Sequence, residues 1–303
     1  MKYEIGKANR LGNRSSNQDR FAVIERPNAV LMVLADGMGG YQGGAIAAET
    51  VALKFTELFT KTAQPLKDPH RFFIEAIALA NTAVRKFGSR QVPPSTPRST
   101  VAACLIQNGS VWWAHAGDSR FYLFRHGNVI ARTRDHSVVE ELYQQGLITE
   151  KQRSTHPNRN QVTRCLGGTE KPPKVSLGPK IQLQPNDVIL LCSDGLWNPL
   201  HDDEIGVFLF DEKNIMTSLD VMTEKAELRS YPKSDNISAL ALRWISNEET
   251  RPKSKLSPEV DEACNENEDP DELLVDQAIQ EINEALEKVE EGLTSHPSST
   301  AAT

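Results

Sequence analysis

Between residues 100 and 133 four β-type runs follow one another, at 100–107, 110–116, 120–126 and 128–133, and no link between them exceeds three residues. A parallel crossover needs a dozen residues or more, so these strands are predicted to be antiparallel. Runs of the same character lie at 21–26, 29–35, 174–183, 187–193 and 237–244. Helical patterns occupy 45–63, 70–87, 201–210 and 215–229. In the second of these, Phe73, Ile77, Ala80, Val84 and Phe87 recur at steps of four and three and form one face. Gly88 suits its C-terminal stop. Ser137 with Glu140 has the signature of a capping box for a short helix ending at Gly146. Residues 147–173 are polar and irregular, long enough for a functional flap. Strands in runs and helices in separate pairs predict an α+β fold, with helices covering an antiparallel core.

The apolar runs share a second feature: carboxylates at their ends. "VLMVLADGMGG" carries six apolar residues straight into Asp36, followed by Gly37, Met38, Gly39 and Gly40. "DVILLCSDG" ends on Asp194-Gly195, "VWWAHAGDSR" places Asp118 after a third run, and "KSDNISALAL" sets Asp235 just ahead of a fourth. For a single Asp-Gly the plain alternative is a strand ending in a turn. Unpaired buried carboxylates are costly, and four at strand ends point to something positive that all four share.

Hard divalent cations take oxygen ligands and keep several waters. Acids at the ends of neighbouring strands converge at a sheet edge, and a glycine after such an Asp lets backbone approach the metal, with its carbonyl as a further ligand. Two metals sharing one carboxylate can hold a hydroxide poised for in-line attack on phosphorus. The glycine-rich run is a poor nucleotide loop, having neither Gly-Lys-Ser/Thr nor Rossmann spacing. A nucleophilic triad is poorly supported too: His115, His136 and His156 are present, but no Ser or Cys sits in a nucleophile-elbow pattern.

Charge and cysteine usage narrow the class further. Residues 248–303 hold 16 Asp/Glu and 4 Lys/Arg, a net of −12, which leaves the rest of the chain at +5 within a total of −7. A mildly basic body suits an anionic substrate, while the lack of a basic run or aromatic-basic interleaving disfavours nucleic acid. Cys104, Cys165, Cys192 and Cys264 are scattered without a Cys-x-x-Cys pair, against zinc and disulfide frameworks. Cys104 and Cys192 read as packing residues inside strands. The opening "MKYEIGKANR" has no apolar core of a signal peptide, and no apolar stretch approaches the ~20 residues a membrane span needs. A reducing, cytoplasmic setting is expected.

The same segments resemble, in order, the motifs of a metal-dependent protein phosphatase of the 2C (PPM) family, of the bacterial type. The resemblance covers about residues 5–245: "RLGNRSSNQDRF", "VLADGMGG", "RSTVAACLI", "WWAHAGDSRFYLFRHG", "TRDHSVVEEL", "NQVTRCLGG", "DVILLCSDGLW" and "SDNISALAL". Each piece alone is weak; eight in order are highly specific. The resemblance implies a four-layer α-β-β-α sandwich, two antiparallel sheets with helices on the outer faces. It also implies a Mn²⁺ or Mg²⁺ site that hydrolyses phosphoserine and phosphothreonine in proteins. Carried over by position, Asp36 would bridge two core ions, the Gly37 carbonyl would bind the second, and Asp194 and Asp235 would complete the first. Asp118, with Asp194, would hold a weaker third ion. Arg14 matches a phosphate-gripping arginine and Asp19 an acid bonded to metal waters; a surface salt bridge is the plain alternative for both. A Ser/Thr protein kinase is the partner the family implies.

Several positions depart from the pattern. Met38 stands where animal members carry a histidine proposed as general acid, Gln18 where they carry an acid, Tyr41 where many bacterial relatives have His, and Asn198 where Asp is usual. None removes a metal ligand. Residues 1–247 are expected to form the catalytic domain, 248–270 an acidic disordered linker, 271–293 an amphipathic helix and 294–303 a disordered end. The helix carries Val275, Ile279, Ile282, Leu286, Val289 and Leu293 on one face. It can lie on the domain, bind a partner or self-associate. Two rival functions stay open: a phosphatase-like scaffold that recruits partners through this tail, and a phosphatase of small phosphoesters.

Overall fold

The computed structural model describes residues 1–39, 43–211 and 214–246. Gly40, Tyr41, Cys264 and the expected linker, amphipathic helix and C-terminal segment lie outside them.

In chain order the elements are β1 (Lys2–Arg10), β2 (Asp19–Arg26), β3 (Ala29–Met38), α1 (Gly43–Lys61), α2 (Pro69–Arg90), β4 (Arg98–Ser99), β5 (Val101–Gln107), β6 (Ser110–Ala116), β7 (Arg120–Arg125), β8 (Asn128–Arg132), α3 (Val138–Gln144), α4 (Glu150–Thr155), β9 (Ser176–Leu177), β10 (Ile181–Gln182), β11 (Val188–Cys192), α5 (Asp194–Trp197), α6 (Asp202–Asp211), α7 (Ile215–Ser230) and β12 (Ile237–Ser246). One sheet runs β1-β12-β11-β7-β8 and the other β10-β6-β5-β3-β2. Their neighbours pair antiparallel throughout. The four runs between 100 and 133 are β5 to β8, as expected; the three-residue link after β6 carries the chain from one sheet to the other.

The α+β sandwich has four layers because the central strands are apolar on both faces. In β3, Leu31, Val33 and Ala35 pack against Val51, Phe55 and Phe59 of α1 and Phe73, Ile77 and Val84 of α2. The alternate residues Val30, Met32 and Leu34 meet Phe121, Leu123, Ile189 and Leu240 of the opposite sheet. That sheet's outer face, with Tyr122, Leu190 and Ala239, is covered by Leu196, Ile205, Leu209, Leu219 and Met222 of α5 to α7. Alternation of side chains across a strand turns one apolar run into two interfaces.

Several local expectations are corrected. β1 was not anticipated; its alternating polar pattern makes sense only against β12, where Ile5 faces Leu242 and Ala8 faces Ala239. α2 begins at Pro69 under an Asp68 cap that accepts from the Arg71 N–H at 3.0 Å and runs past Gly88 to Arg90. Gly88 is therefore not a stop: a Cβ there would lie 2.4 Å from the Ser95 carbonyl and 2.5 Å from Pro97, so the glycine admits the returning loop. The Ser137 cap is half a capping box. Ser137 Oγ accepts from the Glu140 N–H, but the Glu140 carboxylate accepts instead from Gln144 at 2.8 Å and Arg153 at 2.6 Å. The full box sits at Thr149 and Gln152, heading α4 inside the segment expected to be irregular. The run 174–183 breaks at Gly178-Pro179 into β9 and β10, because proline cannot donate to a sheet ladder.

Candidate active site

Strand ends and turns bring the acids together. Asp36 lies in β3 directly opposite Asp19 of β2. Asp118 occupies the turn between β6 and β7, Asp194 opens α5 with one residue, Ser193, between it and β11, and Asp235 stands two residues before β12. Asp36, Gly37, Asp118, Asp194 and Asp235 line one cavity of about 610 Å³, with Arg14 the one cation among the described residues lining it. Asp19 lies behind the wall, 1% exposed, where Ser193 Oγ donates to its Oδ2 at 2.7 Å.

Each acid is held through its backbone or an outer hydroxyl. The Asp36 N–H donates to Thr100 Oγ1 at 3.0 Å and the Thr100 N–H to the Asp36 carbonyl at 2.8 Å. Thr100 Oγ1 also bonds Ser119 Oγ at 2.7 Å, tying the Asp36 strand to the Asp118 turn. Gly37 is a glycine for lack of room: a Cβ would lie 1.9 Å from the carbonyl oxygen of Gly44, in the first turn of α1. What requires glycine at this position is helix backbone, a reason separate from the expected approach to a metal. Asn236 fastens the loop that carries Arg14, its amide donating to Leu11 O at 2.9 Å and Ser16 O at 3.1 Å while its Oδ1 accepts from the Gln18 N–H at 2.9 Å.

The cluster is short of positive charge. Burial, followed by repulsion from Asp19, Asp194, Asp118 and Asp235, holds Asp36 well above the carboxylate range. Burial and the charges of Asp118, Asp235 and Asp19 do the same to Asp194, although Arg14 opposes them. Burial and then Asp135 push Asp118 up to about 7. Burial pushes Asp19 up to about 6 against the Ser193 hydrogen bond. Asp36 and Asp194 lie deep among protein atoms yet keep a partly open face, which is the face on the cavity. Arg14 is bonded to one of these acids only: its Nη2 donates to Asp235 Oδ2 at 2.6 Å, with the arginine side chain 58% exposed. The salt bridge weighed for Arg14 therefore exists, and its partner is a candidate ligand. Asp118 forms no ion pair among the described residues; the nearby Arg120 is engaged by Asp135 through two 2.7 Å contacts.

An all-oxygen donor set, buried and mutually repelled, fits hard divalent cations. Among the described residues no three acids, histidines or cysteines already close around one point as an ion cage. The donors instead line the walls of an open cavity, which leaves space for water. Sequence reasoning passed over Thr100, Ser119, Ser193 and Asn236. All four sit inside the quoted motifs, but their partners are 19 or more residues away, and no local periodicity announces such contacts.

The sequence profile described as protein phosphatase 2C matches residues 6–231. A putative 2C-type phosphatase of Streptococcus pyogenes is 33% identical over 221 residues, spanning 71% of this chain and 87% of that protein. The Listeria welshimeri serine/threonine phosphatase stp is 29% identical over 230 residues, spanning 75% and 90%. The solved Streptococcus agalactiae serine/threonine phosphatase superposes with a TM-score of 0.74 at 29% identity, covering 81% of this chain and 100% of that one. The catalytic domain of PstP, solved with 2 manganese ions, matches with a TM-score of 0.68 at 27% identity, covering 80% and 99%. Fold, motif order and relatives matched over nearly their whole length agree, and the chain belongs to the protein phosphatase 2C family, as a serine/threonine phosphatase of the bacterial kind.

Proposed function

We propose that the chain hydrolyses phosphoserine and phosphothreonine in proteins, with Mn²⁺ or Mg²⁺ held by Asp36, the Gly37 carbonyl, Asp194 and Asp235, and a weaker third ion held by Asp118 with Asp194. The convergence of four acids from four chain segments on one cavity with a single guanidinium carries this reading. Bound divalent ions would supply Lewis acidity, neutralising phosphate charge and making water a nucleophile near neutral pH. The protein's own groups do the rest. Asp36, fixed on both backbone atoms by Thr100, would be a ligand held in place before any ion arrives. Asp19, held by Ser193, orients water from behind the wall. Arg14 releases Asp235 and turns its planar fork to two phosphate oxygens. No histidine is among the described residues lining the cavity, so a cavity water is left to protonate the departing serine or threonine oxygen.

Residues 1–247 are assigned as the catalytic domain. Its substrates would be products of a Ser/Thr protein kinase. Free Cys104, Cys165 and Cys192 fit a reducing cytoplasm, and no helix among the described residues is long and apolar enough to cross a membrane. The direct test is turnover of phosphothreonine against phosphotyrosine peptides by the purified chain with Mn²⁺. Preference for phosphothreonine, abolished by EDTA, is expected. Turnover that survives EDTA, or favours phosphotyrosine, overturns the proposal. In the same assay Arg14→Ala should raise KM about 10- to 100-fold, the worth of charge-assisted hydrogen bonds, with kcat little changed. A fall in kcat alone would place Arg14 in the transition state rather than in binding.

A further inference from the structure

The turn that carries Asp118 is gripped from two sides, by His136 and by Trp197. On one side the His136 N–H donates to the Gly117 carbonyl at 2.9 Å and the Gly117 N–H donates to His136 Nδ1 at 3.1 Å. With Nδ1 accepting, the ring is held at its other nitrogen too, where Nε2 bonds Ser176 Oγ at 2.9 Å and lies 3.3 Å from Arg164 Nη1. The ring is further fixed by stacking on His115, 4.3 Å between centroids and 10° from parallel, and His115 is anchored by Nε2 on the Arg134 carbonyl at 2.8 Å. On the other side Trp197 Nε1–H donates to the Asp118 carbonyl at 2.9 Å. The indole lies beneath the Arg120 guanidinium, 3.6 Å from it, and Arg120 is locked by both carboxylate oxygens of Asp135 at 2.7 Å. Thr100 closes the third side. Gly117 has φ +121°, and a Cβ there would lie 2.6 Å from the Thr100 side chain.

We infer that the adjacent pair Asp135 and His136 are positioning residues for Asp118: one acts through Arg120 and Trp197, the other directly on Gly117, and together they present the Asp118 carboxylate to the cavity. The inference rests on the proposal that Asp118 is a ligand of the weaker ion. It gives a shared role to a nearly buried arginine–carboxylate pair, whose arginine also bonds the Tyr122 hydroxyl at 2.8 Å, and to a buried histidine stack, neither of which lines the main cavity. A bonded, nearly buried ion pair is weak evidence for stability alone, whereas groups that orient ligands commonly cost 10- to 100-fold in metal affinity when removed.

The test is Mn²⁺ binding to the full chain by titration calorimetry, without substrate, beside the melting temperature in EDTA. Asp118→Ala is expected to remove the weakest class of Mn²⁺ sites and keep the tighter ones. His136→Ala, and Trp197→Phe, which loses only the N–H donor and keeps the stack on Arg120, should each weaken that class about tenfold or more and leave the tighter sites unchanged. His136→Asn, whose Oδ1 replaces Nδ1 as acceptor, should restore binding to within about threefold of wild type if the His136–Gly117 bond sets the site. Should His136→Ala fail to fold, Trp197→Phe decides the matter on the same criterion. If Asp118→Ala binds Mn²⁺ like wild type, the ligand assignment has failed. If Asp118→Ala loses the weak class but Trp197→Phe and the His136 variants bind normally, the ligand stands and the clamp is overturned.

Discussion

Asp36→Asn is expected to lower Mn²⁺-dependent turnover by more than about 100-fold, beyond the usual cost of removing an outer-shell partner, while raising the melting temperature of the metal-free protein. The two signs follow from one observation. Without a cation Asp36 is a liability, held above its ordinary range by burial and four neighbouring carboxylates. Asn has nearly the same shape, leaves the two backbone bonds to Thr100 in place and removes the repulsion. One kcal/mol of relief would move the midpoint by about 2–4 °C in a domain of this size. With Mn²⁺ the balance reverses, because the variant offers one fewer anion to the ions and should gain less from them. Melting curves in EDTA and in Mn²⁺, with phosphopeptide turnover, check all three. Turnover within tenfold of wild type, or a lower midpoint in EDTA, would mean that Asp36 is a structural acid.

Asp36 and Asp194 stand out in the sequence because the pattern that marks them is local, an apolar run, an Asp and a glycine, and Asp118 and Asp235 because each flanks such a run. The strands from 101 to 132 were legible for the same reason, since short links leave no room for a parallel crossover, although the link after β6 changes sheets instead of pairing its two strands. Elements that depend on distant partners were not. β1 is polar at alternate positions and becomes a strand only by lying along β12, more than two hundred residues away. Asp194 ends an apolar run yet sits in a helical turn, because Gly195 lets α5 abut the Asn236 carbonyl; a Cβ there would lie 2.1 Å from that oxygen. Arg120 reads as one residue of a strand, and its role emerges only when Asp135 and Trp197 close around it. Arg14 was weighed as phosphate ligand or ion-pair partner; the structure shows the ion pair, with Asp235, and that pair depends on a partner 221 residues away.

Lowering the pH from 7.5 to 6.5 should stabilise the metal-free protein, whereas Mn²⁺ should stabilise it more at 7.5. Asp118 titrates at about 7 instead of 3.8, Asp19 at about 6, and Asp36 and Asp194 are also raised. A carboxyl whose folded pKa exceeds its unfolded value keeps its proton in the native state after the unfolded chain has lost it. The native state then binds more protons, and stability falls as pH rises from about 4 through the folded pKa values. His115 and His136 act in the opposite sense: burial lowers both, so each loses stability as pH drops below the ordinary 6.5. Between 7.5 and 6.5 they offset part of the gain, and the four raised acids together outweigh them. One proton taken up across one pH unit is worth about 1.4 kcal/mol, or about 3–6 °C at the 2–4 °C per kcal/mol expected for this size. Divalent ions compete with those protons for the same oxygens, so the Mn²⁺-induced rise in midpoint should be larger at pH 7.5 than at 6.5. The measurement is a set of melting curves at both pH values in EDTA and in saturating Mn²⁺. A metal-free midpoint that is flat or rises with pH across this window would mean that the four acids are not the repelling cluster the cavity presents, and that the site does not depend on cations to relieve it.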